Sequence, residues 1–81
     1  MIVNVFTVRD GKAEAYLQPF FMQNEQMARR AIEDCVKDPD HSFFRHSEDY
    51  SLWYLGTYDD SVGKFELVDA PLHLFNLVDV E

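Results

Sequence analysis

Apolar and polar residues alternate at the start of the chain. From residue 2 to 9, Ile2, Phe6 and Val8 fall on one face and Val3, Val5 and Thr7 on the other, which predicts a strand. Neither set is polar, so both faces of this strand are expected to be covered. Asp10-Gly11-Lys12 is a turn signal. The apolar stretch Ala13 to Phe21 contains Pro19, which disfavours helix at Gln18, and it reads as an ordered, packed loop. From about Asn24 to Lys37 the period lengthens to between three and four. Met27 and Ala28, Ala31 and Ile32, Cys35 and Val36 form one stripe of a helix, with Arg29, Arg30, Glu33 and Asp34 opposite. Asn24 suits the N-cap, Glu25 the first turn and Lys37 the C-terminal end, and Pro39 stops the helix.

Residues 38 to 49 form a polar connection that carries Phe43 and Phe44. Tyr50 to Tyr58 is rich in strand formers, and Lys64 to Val68 reads as its hairpin partner across a loop in which Gly63 can take positive φ. Asp69-Ala70-Pro71 then resembles a helix start, giving a short C-terminal helix over Leu72, Leu74, Phe75, Leu77 and Val78, with a strand as the alternative. The expected fold is one α+β domain, β-α-β-β-α, in which a small three-stranded, mainly antiparallel sheet is packed by one amphipathic helix. A single helix cannot cover two apolar faces. Either the C-terminal segment or the second subunit of a homodimer is expected on the other face.

Composition narrows the class. With 81 residues, 47% of them hydrophobic, the chain can build one core and cannot divide it. No apolar run is long enough for a membrane span, and the first residues show no secretory signal, so the protein is expected to stay where it is made. Cys35 is the only cysteine, which excludes an internal disulfide and suits a reducing cytoplasm. The net charge of −8 argues against a protein that coats duplex nucleic acid. That excess lies entirely in residues 38 to 81, where ten acids face Arg45 and Lys64. Residues 1 to 37 are balanced, with five acids against Arg9, Lys12, Arg29, Arg30 and Lys37.

No catalytic set can be assembled. Asp38, Asp40, His41, His46, Glu48 and Asp49 are metal-ligating types, but a calcium loop counted from Asp38 would need Gly and Glu where Phe43 and Asp49 stand. His46, Ser47 and Asp49 are sequence neighbours, whereas a hydrolase triad converges from separate segments. Gly11, Gly56 and Gly63 match no phosphate-binding or dinucleotide fingerprint, and Cys35 lies on the apolar stripe. No enzyme activity, metal or cofactor is expected. The aromatics carry the more informative signal, because rings that stack on bases beside cations that follow phosphates are the means by which single-stranded nucleic acid is held. Burial in the core is the competing role for each ring.

The run Lys12-Ala13-Glu14-Ala15-Tyr16-Leu17-Gln18-Pro19-Phe20-Phe21 resembles a segment of the small nonstructural protein of gokushoviruses, Microviridae phages with single-stranded DNA genomes. The likeness continues through Ala28-Arg29-Arg30-Ala31, Asp38-Pro39-Asp40-His41, His46-Ser47-Glu48-Asp49-Tyr50, Leu55-Gly56-Thr57-Tyr58-Asp59-Asp60 and Gly63-Lys64-Phe65, and weakens after Val68. Gln18 and Ser47 stand where relatives frequently carry proline, which bears on loop stiffness. The resemblance implies a nonstructural protein of the infected bacterial cytoplasm that binds DNA or supports single-stranded genome synthesis and packaging. It brings no catalytic residues. Basic and aromatic residues together mark Lys12, Tyr16, Phe20, Phe21, Arg29, Arg30, Phe44 and Arg45 as the candidate single-stranded DNA site. Phage replication or assembly proteins are further expected partners. The alternative is an acidic adaptor or DNA mimic whose second half engages a basic protein.

Overall fold

A computed structural model describes residues 1–80. The chain runs β1 (Ile2–Asp10), β2 (Ala15–Tyr16), β3 (Phe20–Met22), α1 (Glu25–Val36), α2 (Ser42–Arg45), β4 (Tyr50–Asp59) and β5 (Lys64–Asn76), with 3₁₀ turns at Ser47–Asp49 and Leu77–Val80. The first strand, the helix and the hairpin stand where the patterning places them. Asn24 caps α1, its Oδ1 accepting the Met27 N–H at 2.8 Å, and Ala28, Ile32 and Val36 of the stripe are buried. Met27, at the stripe's margin, is exposed. At the hairpin, Gly63 takes φ 66°.

The sheet has five strands, not three, in the order β2-β1-β4-β5 with β3 also paired to β1. All pairings are antiparallel. The two added strands come from the segment read as a loop. They pair with successive stretches of one edge of β1, setting Tyr16 opposite Arg9 and Phe21 opposite Val5, on either side of the Leu17 to Pro19 kink. Strands of two and three residues are too short to show a period, and their order comes from β1.

The C-terminal helix is also corrected, to its strand alternative. β5 continues to Asn76, and Asp69-Ala70-Pro71 lies in a bulge between the Leu67–Gly56 and Leu72–Tyr54 pairs. Proline is tolerated there because β5 is an edge strand and a bulge asks for no regular ladder bond. The observed order is therefore β-β-β-α-α-β-β instead of β-α-β-β-α.

One face of the sheet holds the core. Phe6 and Val8 of β1, Leu52 of β4 and Phe75 of β5 meet Ala28, Ile32 and Val36 of α1, with Phe43 and Leu77 joining the cluster. The curl that lets this small sheet wrap α1 is concentrated where Leu55 is an extra residue between the Phe6–Tyr54 and Val5–Gly56 pairs. Gly56 is required at this bend. Its φ is 144°, and a Cβ would run into the Glu66 carbonyl and lie 2.7 Å from the Leu67 Cα. Those obstacles are backbone and cannot rotate away. Gly56→Ala is expected to cost about 3 kcal/mol or more, read as a lowered urea midpoint. An unchanged midpoint would show that the bend does not need glycine.

Candidate functional site

Strand alternation sends Val3, Val5, Thr7 and Arg9 to the face of β1 opposite α1. Register then gathers rings from four other strands onto that face. Tyr16 lies beside Arg9, Phe21 beside Val5, Trp53 beside Thr7 and Tyr58 beside Val3, while β5 adds Phe65 next to Tyr58 and His73 next to Trp53.

The rings form two groups. In the first, Trp53 makes edge-on contacts with Tyr16 at 5.8 Å and His73 at 5.1 Å between centroids. The Arg9 guanidinium lies 5.8 Å from the Tyr16 centroid, within cation–π range. Trp53 Nε1 donates to Ser51 Oγ at 2.8 Å, and His73 Nε2 is 2.9 Å from Asn76 Oδ1, so both rings are oriented by polar partners. In the second group Phe21, Tyr58 and Phe65 touch one another with centroids 4.7 to 6.2 Å apart. Between the groups Val5 and Thr7 are buried, the Thr7 hydroxyl donating to the Leu17 carbonyl at 2.8 Å.

Much of this face is open. Tyr16 and Phe21 are each 46% exposed, Phe65 49% and Leu67 65%. Exposed rings and aliphatic groups of this kind, where they gather into a patch, commonly mark interaction surfaces. Its electrostatics differ from those of the chain. Fifteen acids give the protein its net −8, yet none of the residues that register places on this face is Asp or Glu, and Arg9 and His73 are there instead.

The residues singled out from sequence are divided by the fold. Tyr16 and Phe21 belong to the open face. Phe20, adjacent to Phe21, points to the core side and stacks on Phe6 at 5.9 Å. Arg29 and Arg30 are exposed on α1, across the core from the rings, and Arg29 is engaged, 3.5 Å from Glu33 and 4.5 Å over the Phe75 ring. Phe44 and Arg45 are exposed on α2, in the same helical layer. Lys12 stands in the β1–β2 turn at the Arg9 end, lining a hollow of about 320 Å³ with Asp10, His46 and Asp49. The expected patch combining the Lys12 to Phe21 segment with the Arg29/Arg30 helix face is thus two separate surfaces. Sequence reasoning left Arg9, Trp53, Tyr58, Phe65 and His73 out of the site. The usable signal was parity in Tyr50 to Tyr58, which separates Trp53 from Leu52 and Tyr54, but the Leu55 bulge resets that parity before Tyr58.

The polar turn has structural duties. His41 Nδ1 accepts the Phe43 N–H at 3.0 Å and caps α2, and the Asp49 carbonyl accepts the Gly11 N–H at 2.7 Å. His46, Glu48 and Asp49 hold potential ligand atoms within 4.8 Å of one another on this surface turn, while Ser47 between them is buried. Cys35 is half-buried beside an apolar groove of about 290 Å³ between α1 and β3.

The family model described as phage ORF5 protein matches residues 3–80. The chain belongs to the phage ORF5 protein family. No curated protein and no solved structure matches it. Phage ORF5 membership thus applies to both ring groups, the helix and the polar turn alike, since all lie within the matched span.

Burial pushes the Cys35 thiol pKa up, and Asp34 and Asp38 push it further the same way. A raised pKa leaves less thiolate at neutral pH, so this phage ORF5 protein should react with a disulfide reagent several-fold more slowly at pH 7 than a free thiol does. The rate should climb as pH approaches the raised pKa. A rate equal to that of free cysteine would contradict this.

Proposed function

We propose that this phage protein is a non-enzymatic accessory factor that binds single-stranded DNA on the helix-free face of its sheet. The observation that carries the reading is the coincidence of six rings, Tyr16, Phe21, Trp53, Tyr58, Phe65 and His73, on a face whose strand-paired positions hold no carboxylate in a strongly acidic chain. Rings on a sheet stack on unpaired bases, which a duplex keeps hidden, and they do so with any base because every base has a π-face. Arg9 and Lys12 at one end supply cations for the backbone. The acids elsewhere repel phosphate and limit the strand to this face. The gokushovirus resemblance agrees in chemistry and supports a place in single-stranded genome synthesis or packaging in the host cytoplasm. No helix among the described residues is long and apolar enough to cross a membrane. The adaptor reading has less support, because the acids of the hairpin end, Asp59 and Asp60, already face the N-terminal ammonium at 3.9 and 2.6 Å.

Fluorescence anisotropy with labelled single-stranded DNA tests the proposal. Binding should be strongest at low salt, with log K falling against log salt at a slope of about −1.4 if Arg9 and Lys12 each neutralise one phosphate. Trp53→Ala should weaken binding about five- to a hundredfold, the loss of one stacking ring, whereas Arg30→Ala should leave it within about twofold. No binding at low salt would overturn the reading.

A further inference from the structure

The two ring groups do not form one continuous platform. We propose that they are two separate stacking platforms engaging bases that are not adjacent, so that the ligand is a single strand of at least about three to five nucleotides gripped at both ends. This rests on the reading of the helix-free face as a single-stranded DNA site.

Register sets the spacing. Trp53 lies opposite Thr7 and Tyr58 opposite Val3, and likewise Tyr16 opposite Arg9 and Phe21 opposite Val5. In both cases the platforms are four positions apart along β1, which at about 3.4 Å per residue is about 14 Å. A stacked strand rises about 3.4 Å per nucleotide and a stretched one about twice that, so 14 Å corresponds to about two to four nucleotides. Over β1 itself the middle of the interval presents no ring, only the buried Val5 and Thr7, whose register neighbours Phe21 and Trp53 begin the two platforms, with the aliphatic Leu67 beyond Gly56. Bases over it have nothing to stack on, while a base at each end meets rings.

Ring geometry and charge favour bases over an apolar partner or a second copy of the chain. Trp53 meets Tyr16 at 84° and His73 at 71°, and an edge-on contact covers at most one face of one ring, leaving other faces to stack. The one formal charge that register places on this face, among the described residues, is the Arg9 cation beside the first platform, which suits a phosphate backbone entering at that end. Two weak grips joined by a short tether act with a high effective concentration, so affinity should step up once a strand is long enough to reach both.

The test is a length series of labelled oligothymidylates from two to about twelve nucleotides, titrated at constant low salt with the intact protein. Affinity should rise at least about tenfold between about two and about six nucleotides and change little beyond. Trp53→Ala and Phe65→Ala, checked for native circular dichroism, should each abolish the step and leave the weaker short-oligonucleotide affinity of the surviving platform. A smooth rise with length and no step, or a step that survives both substitutions, would overturn the two-platform inference while leaving single-stranded DNA binding intact. Absence of binding at every length would remove the functional reading and this inference together. So would a dimer, seen by light scattering, that Phe65→Glu separates and that binds no DNA, because a second copy would then be the face's natural occupant.

Discussion

β1 is paired along both edges, to β4 on one side and to β2 and β3 on the other, so its alternation decides the face taken by every side chain in register with it. Phe6 and Val8 fix the core side, where Phe20, Leu52 and Tyr54 follow them beneath α1. Val5, Thr7 and Arg9 fix the open side, with Tyr16, Phe21 and Trp53. Adjacent residues such as Phe20 and Phe21, or Trp53 and Tyr54, are thereby assigned to opposite environments. A one-residue slip of β1 would exchange them all, exposing the core residues and burying Arg9. Register is held against such a slip by the Gly56 bend, which only a residue without a side chain can occupy, and by the one-sided packing of α1.

Division of rings between the two faces explains how so small a protein can be aromatic-rich and still expose rings. Phe6, Phe43 and Phe75 are buried in the cluster that stabilises the fold, while Phe20, Tyr50 and Tyr54 pack against it. Tyr16, Phe21, Trp53, Tyr58 and Phe65 lie outside that cluster and make edge-on and tilted contacts within their two groups. Charge follows the same partition. Carboxylates occupy turns, the helix exterior, the β5 bulge and the hairpin end.

Much of the fold could be read in the sequence, for identifiable reasons. The first strand, the Asn24-capped helix and the Gly63 hairpin each rest on a local signal that tertiary structure had no cause to override. β2 and β3 gave no such signal, since their order comes from β1's edge, and Pro19 between them reads as loop chemistry. Asp69-Ala70-Pro71 misled because a proline after an acid is equally at home at a helix start and in an edge-strand bulge, and only β4's partnership with β5 distinguishes the two. The site was legible only in part. Tyr16 and Phe21 stand out as rings near a basic residue. Arg29 and Arg30 share their stretch of sequence but not their face. Trp53, Tyr58, Phe65 and His73 join the site through pairing across long sequence separations, to which local composition is blind.

In the proposed function the helix-free face, and not the helix, receives a single strand. Mapping amide and aromatic NMR shifts on titration with single-stranded DNA addresses this directly. Perturbations are expected to concentrate at Arg9, Tyr16, Phe21, Trp53, Tyr58, Phe65 and His73, with α1 and α2 unmoved. Perturbations centred on Arg29, Arg30, Phe44 and Arg45, with the ring face silent, would contradict it.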